Sequence, residues 1–490
     1  MQNLREREQA KRSCWCTNRQ DALSLTVIVL LGLTVRLVFG SINPVLLAGD
    51  SPDYFEPAYA LLHGKGFPVL TYRGPAYPIF IVLVLLLFGE NLEWITAAQR
   101  VLGLATAALV YGNGRLLFGR SAGLLAGVAT ALSGELMVRE QYIMSESLLT
   151  FELMLAAFLT IVGLRRGPLG WFLAGGLTLG VAVLTRGAAL ASIAGALPVG
   201  VLAYRRWPLI WRAASLTILG SLLILVPWVV RNRILYGTTE IQASGPAALS
   251  MVRMVPEMVA YYQSSIPEDP DPRRLAVRKV VLDTMKRTAD GGWPSLSKTA
   301  TWLTKEQGLT EPEVYAIYSE IALEGIHARP EPYVRDVLKS FWQLLTGSSE
   351  PLRWHWKIRD QSTGPKNGGL ASLLKPITPE QQRWFPVAEV LVKIYQSPGI
   401  QPLLLLLALV GAILSAASPA HRAALVLAFL VLSLQGVTAI VGGANTRYYT
   451  PIEPHLHVLA AGALMLLVIR LRTRLSTARL PRVARSNLAN

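Results

Sequence analysis

Long apolar runs, separated by short basic or Gly/Pro stretches, constrain the fold of this chain more than any other feature of its sequence. The runs are about 14 to 22 residues long, close to the length of helix that crosses a hydrocarbon layer of about 30 Å. The sequence is 52% hydrophobic and only 16% charged, which is too apolar for an ordinary soluble enzyme of this size. Helices satisfy their backbone hydrogen bonds within lipid, so the pattern predicts an all-α polytopic membrane protein.

Ten of these runs have the length of a membrane crossing, and an eleventh does not. The short run at 77–89 has about 13 residues, which is typical of an interfacial or re-entrant helix. The ten predicted crossings are 22–40, 96–116, 122–138, 147–163, 171–184, 188–204, 213–230, 402–417, 423–441 and 454–469.

The distribution of positive charge supports ten crossings. The net charge of +16 comes mainly from Arg and Lys at the ends of the runs, as in cytoplasmic loops of membrane proteins, and not from one patch of the kind that binds nucleic acid. With the N-terminal tail inside, ten crossings place every later basic cluster inside as well, whereas counting 77–89 would send them outside. We expect a multi-pass protein of the plasma (inner) membrane, with both termini cytoplasmic and no nucleic-acid partner.

The predicted crossings divide the chain into five regions. Residues 231–401 are too long for an ordinary loop and mix charges with Trp, Tyr and Pro, so we expect a mainly helical outer domain resting on the membrane. Its candidate helices are 273–286, 311–328, 332–345 and 379–395. The other regions are a basic tail (1–21), an N-terminal transmembrane module (22–230) with a first outer loop at 41–95, the C-terminal transmembrane helices (402–471) and a second basic tail (472–490).

The first outer loop carries three carboxylates within a few residues of one another, Asp50, Asp53 and Glu56. Carboxylates held beside a membrane helix suit a general base or a metal site, since both need acceptor oxygens at a defined depth. The alternative is helix capping, with Asp50 or Ser51 at the N-cap of a helix over 52–63 and an acid in its first turn.

A second acid on the predicted outer side is Glu146, at the start of the crossing 147–163. The alternative is again a helix start, with Ser145 as the cap and Glu146 in the first turn. Glu135, Glu140 and Glu152 are neighbouring acids that rank below Glu146. Glu152 lies within the predicted span, where an ionisable group is costly unless it faces protein or water. The interface lets Glu146 remain ionised.

Arginines on the outer side complete the candidate site. Arg73 lies in a turn with flanking Gly and Pro, Arg231 follows Trp228, and Arg447 precedes Tyr448. Guanidinium groups bind phosphate through paired hydrogen bonds, although interfacial Arg beside Trp or Tyr is also ordinary membrane anchoring. Arg186, between two closely spaced crossings, is a further candidate.

The order of these motifs resembles the GT-C glycosyltransferases, and most closely the branch that contains protein O-mannosyltransferases and the aminoarabinose transferase of lipid A. The resemblance runs over nearly the whole chain and implies a GT-C-like bundle of about ten transmembrane helices. It is carried by the acids after the first span, Tyr-Arg-Gly-Pro-Ala-Tyr-Pro at 72–78, Leu-Phe-Gly-Arg at 117–120, Met-Ser-Glu at 144–146, Pro-Trp-x-x-Arg-Asn at 227–232 and Arg-Tyr-x-x-Pro at 447–451.

What the resemblance implies is inverting transfer of a sugar from a polyprenyl phosphate to a lipid, glycan or protein acceptor on the outer face. Asp50 corresponds to the catalytic base, with Asp53 as its rival, and Glu146 to the second acidic position. This sequence departs from the family at Ser51, which stands where the family commonly has Glu. The sequence identifies no cofactor. It neither requires nor excludes a divalent metal, for which Asp50 and Glu146 are the candidate ligands. The expected donor-phosphate residues are Arg73, Arg447, Tyr448, Arg231 and Arg186, and the acceptor or structural residues are Tyr54, Glu56 and Tyr72.

A multi-span transporter or lipid flippase is the main competing hypothesis, because such proteins also carry interfacial Arg and carboxylates. The spans contain few charges or Gly/Pro breaks at mid-depth, while acids and arginines gather on one predicted face. That distribution favours an enzyme. A binding protein or assembly scaffold is the third hypothesis.

Overall fold

The computed structural model consists of helices and connecting loops throughout the residues it describes. These residues are 19–67, 73–194, 207–237, 239–242, 308–309, 311–347, 351–362, 373–396, 399–441 and 445–478, with the single positions 275, 279, 282, 305 and 370. Within these ranges, the pairing of Leu46 with Tyr142 is an isolated bridge outside any strand.

The N-terminal helices form the larger part of the bundle. The last of them, Trp207–Tyr236, contains Pro227 and pairs closely with Gly170–Thr185. Their bounds are α1 Arg19–Ile42, α2 Ser51–Leu62, α3 Ala76–Phe88, α4 Leu92–Phe118, α5 Arg120–Ala131, α6 Gly134–Glu140, α7 Glu146–Arg166, α8 Gly170–Thr185 and α9 Trp207–Tyr236.

The C-terminal helices return to the same bundle. The last helix packs against both the preceding membrane helices and α4 and α5, so the two ends of the chain share one core. Their bounds are α10 Glu311–Ala328, α11 Pro330–Thr346, α12 Leu352–Ser362, α13 Pro379–Gln396, α14 Ile400–Ala417, α15 Leu425–Val441 and α16 Glu453–Ala478.

Seven of the described helices are long and apolar enough to cross a membrane, and the bent pair α5 and α6 together adds an eighth. Each corresponds to a predicted crossing. The crossing predicted at 171–184 is the 16-residue helix α8, and that at 188–204 is helical over 190–194 and then lies outside the described residues. The predicted all-α bundle with about ten membrane helices is confirmed.

The crossing predicted at 122–138 as one continuous run is instead two helices, α5 and α6. The chain bends by 48° between α5 and α6. Ser133 begins α6 as its N-cap, since the Leu136 amide donates to its Oγ at 3.3 Å. A side chain that accepts a hydrogen bond from a free amide at the start of a new helix lowers the free-energy cost of breaking the preceding one.

Of the helices predicted within residues 231–401, three agree closely with observed helices. Helix α10 has the predicted bounds, α11 is longer by a few residues than 332–345, and α13 ends one residue beyond 379–395. Helix α12 was not predicted. The candidate helix at 273–286 lies outside the described residues, apart from three single positions.

A short stretch of extended chain joins the loop between α1 and α2 to the turn between α6 and α7. The Leu46 amide donates to the Gln141 carbonyl at 2.8 Å, and the Ile143 amide donates to the Leu46 carbonyl at 3.2 Å. Because Asp50 and Glu146 lie only a few residues beyond these bonds, the backbone brings the two acids into one region.

Candidate active site

Asp50 occupies the N-cap position of α2, but its side chain does not cap the helix. Its Oδ2 lies 2.6 Å from Arg73 Nη2 and 2.5 Å from Arg447 Nη2. The neighbouring Ser51 Oγ accepts from the Ala48 amide at 2.9 Å. The Asp50 carboxylate therefore pairs with two arginines and does not cap the helix, so the capping alternative is wrong for Asp50.

Glu146 begins α7, and it too belongs to a charged cluster. Its Oε1 is 3.5 Å from Arg186 Nη1 and 3.8 Å from Arg447 Nε. The preceding Ser145 makes no capping hydrogen bond; its hydroxyl is instead 3.0 Å from that of Tyr54. Capping by Ser145 is thus not observed either.

Tyr448 lies between two of the arginines. The Arg186 guanidinium carbon stacks 3.9 Å from the centre of the Tyr448 ring, a cation–π contact. Arg447 Nη2 donates to the Tyr448 hydroxyl at 3.3 Å. We call the resulting group the arginine–carboxylate cluster; it comprises Asp50, Asp53, Arg73, Glu146, Arg186, Arg447 and Tyr448.

Close packing holds the turn that carries Arg73. A Cβ at Gly74 would overlap the backbone carbonyl oxygen of Leu184, so only glycine allows this turn to rest on the end of α8. The next residue, Thr185, donates its hydroxyl to Glu152 Oε1 at 2.9 Å, which ties α8 to α7. Arg186 follows immediately and is held beside Arg73.

The segment that carries Arg447 is a short 3-10 helix, Thr446–Tyr449. Asn445 caps it by accepting from the Arg447 amide at 3.2 Å. Gln435, on α15, donates its side-chain amide to the Tyr448 carbonyl at 2.7 Å. These two bonds fix the backbone from which both side chains reach the cluster.

The cluster separates the pKa values of its two aspartates. Burial raises the pKa of Asp50, but the opposite effect of Arg447 and Arg73 is larger, and the net pKa falls to about 2. Burial raises the pKa of Asp53 to about 6, because its single contact with Arg73, at 3.5 Å, does not offset desolvation and the charge of Asp50. For Tyr448, burial is outweighed by Arg447 and Arg186, and its pKa falls to about 8.

Three of the remaining predicted residues, Arg231, Tyr54 and Glu56, are described by the structure and do not belong to the cluster. Arg231 stacks 4.5 Å from the Trp228 ring and donates to the Phe67 carbonyl, contacts that suit the anchoring alternative. Tyr54 is buried, edge-on to Tyr77, which suits a structural role. Glu56 is exposed, and Tyr72 lies outside the described residues.

Arg36 is a buried charge that the sequence analysis did not single out. It lies within α1 and is 2.8 Å from Glu140, with both side chains almost fully buried. A single arginine inside an apolar run was the available signal, because such a charge must find a partner within the protein.

The two candidate metal ligands do not fit a divalent metal. Asp50 and Glu146 both face Arg447, whose guanidinium lies between them and supplies the positive charge. Over the part of the chain that the structure describes, no group of three His, Cys, Asp or Glu side chains is placed to hold a metal ion. The Arg447 guanidinium therefore occupies the position between the two carboxylates that a metal ion would need.

Comparison with known proteins agrees with this architecture. Residues 72–230 match the family model described as dolichyl-phosphate-mannose-protein mannosyltransferase. The archaeal oligosaccharyltransferase AglB from Archaeoglobus fulgidus, solved with an inhibitory peptide and a dolichol-phosphate, superposes with a TM-score of 0.50 at 15% identity, over 96% of this chain and 53% of that one. Its apo form gives 0.51 at 15%, over 95% and 52%.

The chain has the GT-C fold. At this identity the likeness is one of fold, and this GT-C chain spans about half the length of the oligosaccharyltransferase. ArnT from Cupriavidus metallidurans, solved with undecaprenyl phosphate, is also similar, with a TM-score of 0.39 at 14% identity over 90% of this chain and 77% of that one. None of the curated proteins matches the sequence.

Proposed function

We propose that this GT-C chain is a glycosyltransferase that moves a sugar from a polyprenyl-phosphate donor to an acceptor on the outer face of the membrane, with inversion at the anomeric carbon. The observation that carries the proposal is the convergence of Arg73, Arg186 and Arg447 on carboxylates from two distant loops. Three guanidinium groups at one membrane-protein site suit a lipid phosphate, and the adjacent carboxylates suit proton removal.

The proposed reaction needs a base and a cationic site for the leaving group. The acceptor hydroxyl oxygen bonds to the anomeric carbon, and its proton passes to Asp50. The bond between that carbon and the phosphate oxygen breaks, and its electron pair leaves with the polyprenyl phosphate. The arginines stabilise the charge that develops on the phosphate, so no acid is needed to protonate it.

Asp50 becomes a better base when the donor binds. Alone it is paired with Arg73 and Arg447, which keep its pKa near 2, and so tight a pairing makes a carboxylate a weak base. A phosphate that takes hydrogen bonds from the same two guanidinium groups weakens their hold on Asp50 and raises its pKa. Donor binding and base activation are thereby coupled. Asp53, with a pKa of about 6, is the rival base.

The relatives support the choice of donor. The matching family model is named for a dolichyl-phosphate sugar, and the oligosaccharyltransferase of the same fold was solved with a dolichol-phosphate. The acceptor class, whether lipid, glycan or protein, stays open. The distribution of basic residues in the sequence supports a site on the outer side of the inner membrane.

The test is sugar transfer by purified wild type and Asp50→Asn, with polyprenyl-phosphate sugars as donors. We expect the variant, inserted and folded like wild type, to lose on the order of 10²- to 10⁴-fold in rate. Glu331→Gln, an exposed acid on α11 that pairs only with its neighbour Arg335 in the contacts observed, is the control for loss of charge. Transfer by Asp50→Asn at the wild-type rate contradicts the proposed base, and lipid movement without cleavage of the sugar phosphate identifies a flippase instead.

A further inference from the structure

The ion pair between Arg36 and Glu140 spans the bend of the α5–α6 pair. Arg36 Nη1 donates to the carbonyl of Ala131, the last residue of α5, at 2.7 Å. Its Nε and Nη2 donate to Oε1 of Glu140, the last residue of α6, at 3.1 Å and 2.8 Å. One side chain of α1 therefore contacts the last residue of each half of the broken span.

The pair leaves part of the carboxylate unused. Glu140 Oε2 is buried without a hydrogen-bond partner, and so is the hydroxyl of Ser147, in the first turn of α7. Both residues line a cavity of about 10 Å³. The other lining residues are Gly103, Thr106, Leu136 and Thr150.

This cavity has the size and the chemistry for one water molecule. A volume of roughly 10 to 15 Å³ admits one water when two to four polar groups surround it. The hydroxyls of Thr106 and Thr150 donate to their own helices, at 2.8 Å and 2.6 Å, and so keep lone pairs for a water to donate to. Leaving a buried carboxylate oxygen unpaired is costly, and a water removes that cost.

We propose that one bound water in this cavity links Glu140 to Ser147, so that the Arg36–Glu140 pair positions the turn that carries Glu146. The bound species is a single neutral water that donates to the free Glu140 oxygen and accepts from, or donates to, the Ser147 hydroxyl. The positioning role rests on the proposed function, whereas the water site does not.

Helix α4 supplies the matching surface. A Cβ at Gly103 would overlap Glu140 Oε1 and lie 2.9 Å from Arg36 Nη2, so glycine is required for the carboxylate to enter. One turn earlier, Gln99 donates its side-chain amide to the carbonyls of Glu140 and Tyr142, at 2.9 Å and 2.8 Å. The chain between Glu140 and Glu146 is thus held by Arg36 of α1 and Gln99 of α4, and the water adds a link to Ser147 of α7.

The water itself is tested by an experimental structure of the full-length protein at a resolution that shows ordered solvent. We expect density in the cavity within hydrogen-bonding distance of Glu140 Oε2 and Ser147 Oγ. The same map of Ser147→Ala should show the water lost or displaced. A cavity that is empty in the wild-type map overturns the proposal, whatever the enzyme's activity.

The positioning role is tested by donor kinetics measured per folded molecule, with the melting temperature recorded for each variant. Ser147→Ala removes one partner of the water, and we expect the KM for the polyprenyl-phosphate donor to rise about fivefold with little change in melting temperature. Gly103→Ala, which displaces Glu140, should have a larger effect. Gly436→Ala is the matched control, because no heavy atom lies within 4 Å of a Cβ at that membrane-helix position.

The outcomes separate the two proposals. If Ser147→Ala and Gly103→Ala lower only the melting temperature, and keep the wild-type KM and kcat, the pair is structural and the positioning role is wrong. If the wild type transfers sugar from no polyprenyl phosphate, the proposed function fails, and the map of the cavity still decides the water site.

Discussion

The Arg447 guanidinium lies 2.5 Å from Asp50, although 397 positions separate the two residues along the chain. The contact joins the first outer loop to the segment before the last helix. Because Arg447 also faces Glu146, one side chain connects the two acidic motifs. Removing it should therefore affect donor binding and the basicity of Asp50 together.

Arg447→Ala should lower kcat/KM on the order of 10²- to 10³-fold, the usual loss for a group that stabilises developing negative charge. Of the three arginines whose charges depress the Asp50 pKa, Arg447 has the largest effect, so its loss raises that pKa. A base must be ionised, and the acid limb of the pH–rate profile should move to higher pH. Arg335→Ala, an exposed arginine on α11, is the control. An unshifted acid limb would show that Asp50 is not the titrating base.

Asp53→Asn should separate the two candidate bases. If Asp50 is the base, Asp53→Asn retains far more activity than Asp50→Asn under the same conditions. If Asp53 is the base, the order reverses and the wild-type rate falls below about pH 6, where Asp53 becomes protonated. Rates of both variants across pH 5 to 8 decide between them.

Asp53→Asn should also change stability in a pH-dependent way. Burial raises the Asp53 pKa to about 6 from 3.8, which means that the folded state disfavours its ionised form. Above pH 6 the charge therefore costs stability. The cost shrinks as the pH falls below 6 and disappears below 3.8, where the carboxyl is protonated in both the folded and the unfolded state. The variant should melt on the order of 1 °C higher than wild type at pH 8, with the difference shrinking at pH 5. Equal differences at both pH values would contradict this origin.

The helices could be predicted well because their signals are local. A helix crossing a membrane is defined by the length of one apolar run, and α10 and α13 begin near Pro residues that suit a first turn. The bend at Ser133 escaped prediction for the opposite reason. Its cap competes with continuation of an apolar run, and the Arg36 contact that spans the break comes from another helix.

The sequence predicts which residues form the site, but not how they are arranged. Counting crossings placed Asp50, Glu146, Arg73 and Arg447 on one side of the membrane, and the structure brings them together. The sequence favours helix capping as much as a catalytic role for Asp50 and Glu146, because both acids lie at helix starts. Only the position of the arginines decides between a cap and an ion pair, and that depends on contacts between distant segments.

Chelation of divalent metals should leave the transfer rate unchanged. The positive charge between Asp50 and Glu146 belongs to Arg447, which no chelator removes. The measurement is the wild-type rate after EDTA treatment and after later addition of Mg²⁺ or Mn²⁺. A loss of rate on chelation that either metal restores would show that the carboxylates rearrange around a metal during the reaction.

Gly74→Ala should impair transfer although residue 74 carries no functional group. A Cβ there would overlap the Leu184 carbonyl oxygen, and the turn can relieve that overlap only by moving away from the end of α8. Arg73 on one side and Arg186 on the other would then separate, so the KM for the donor should rise. Gly49→Ala is the matched control, since a Cβ next to Asp50 meets nothing within 4 Å. Equal donor KM values in the two variants would show that the spacing of Arg73 and Arg186 does not govern donor binding.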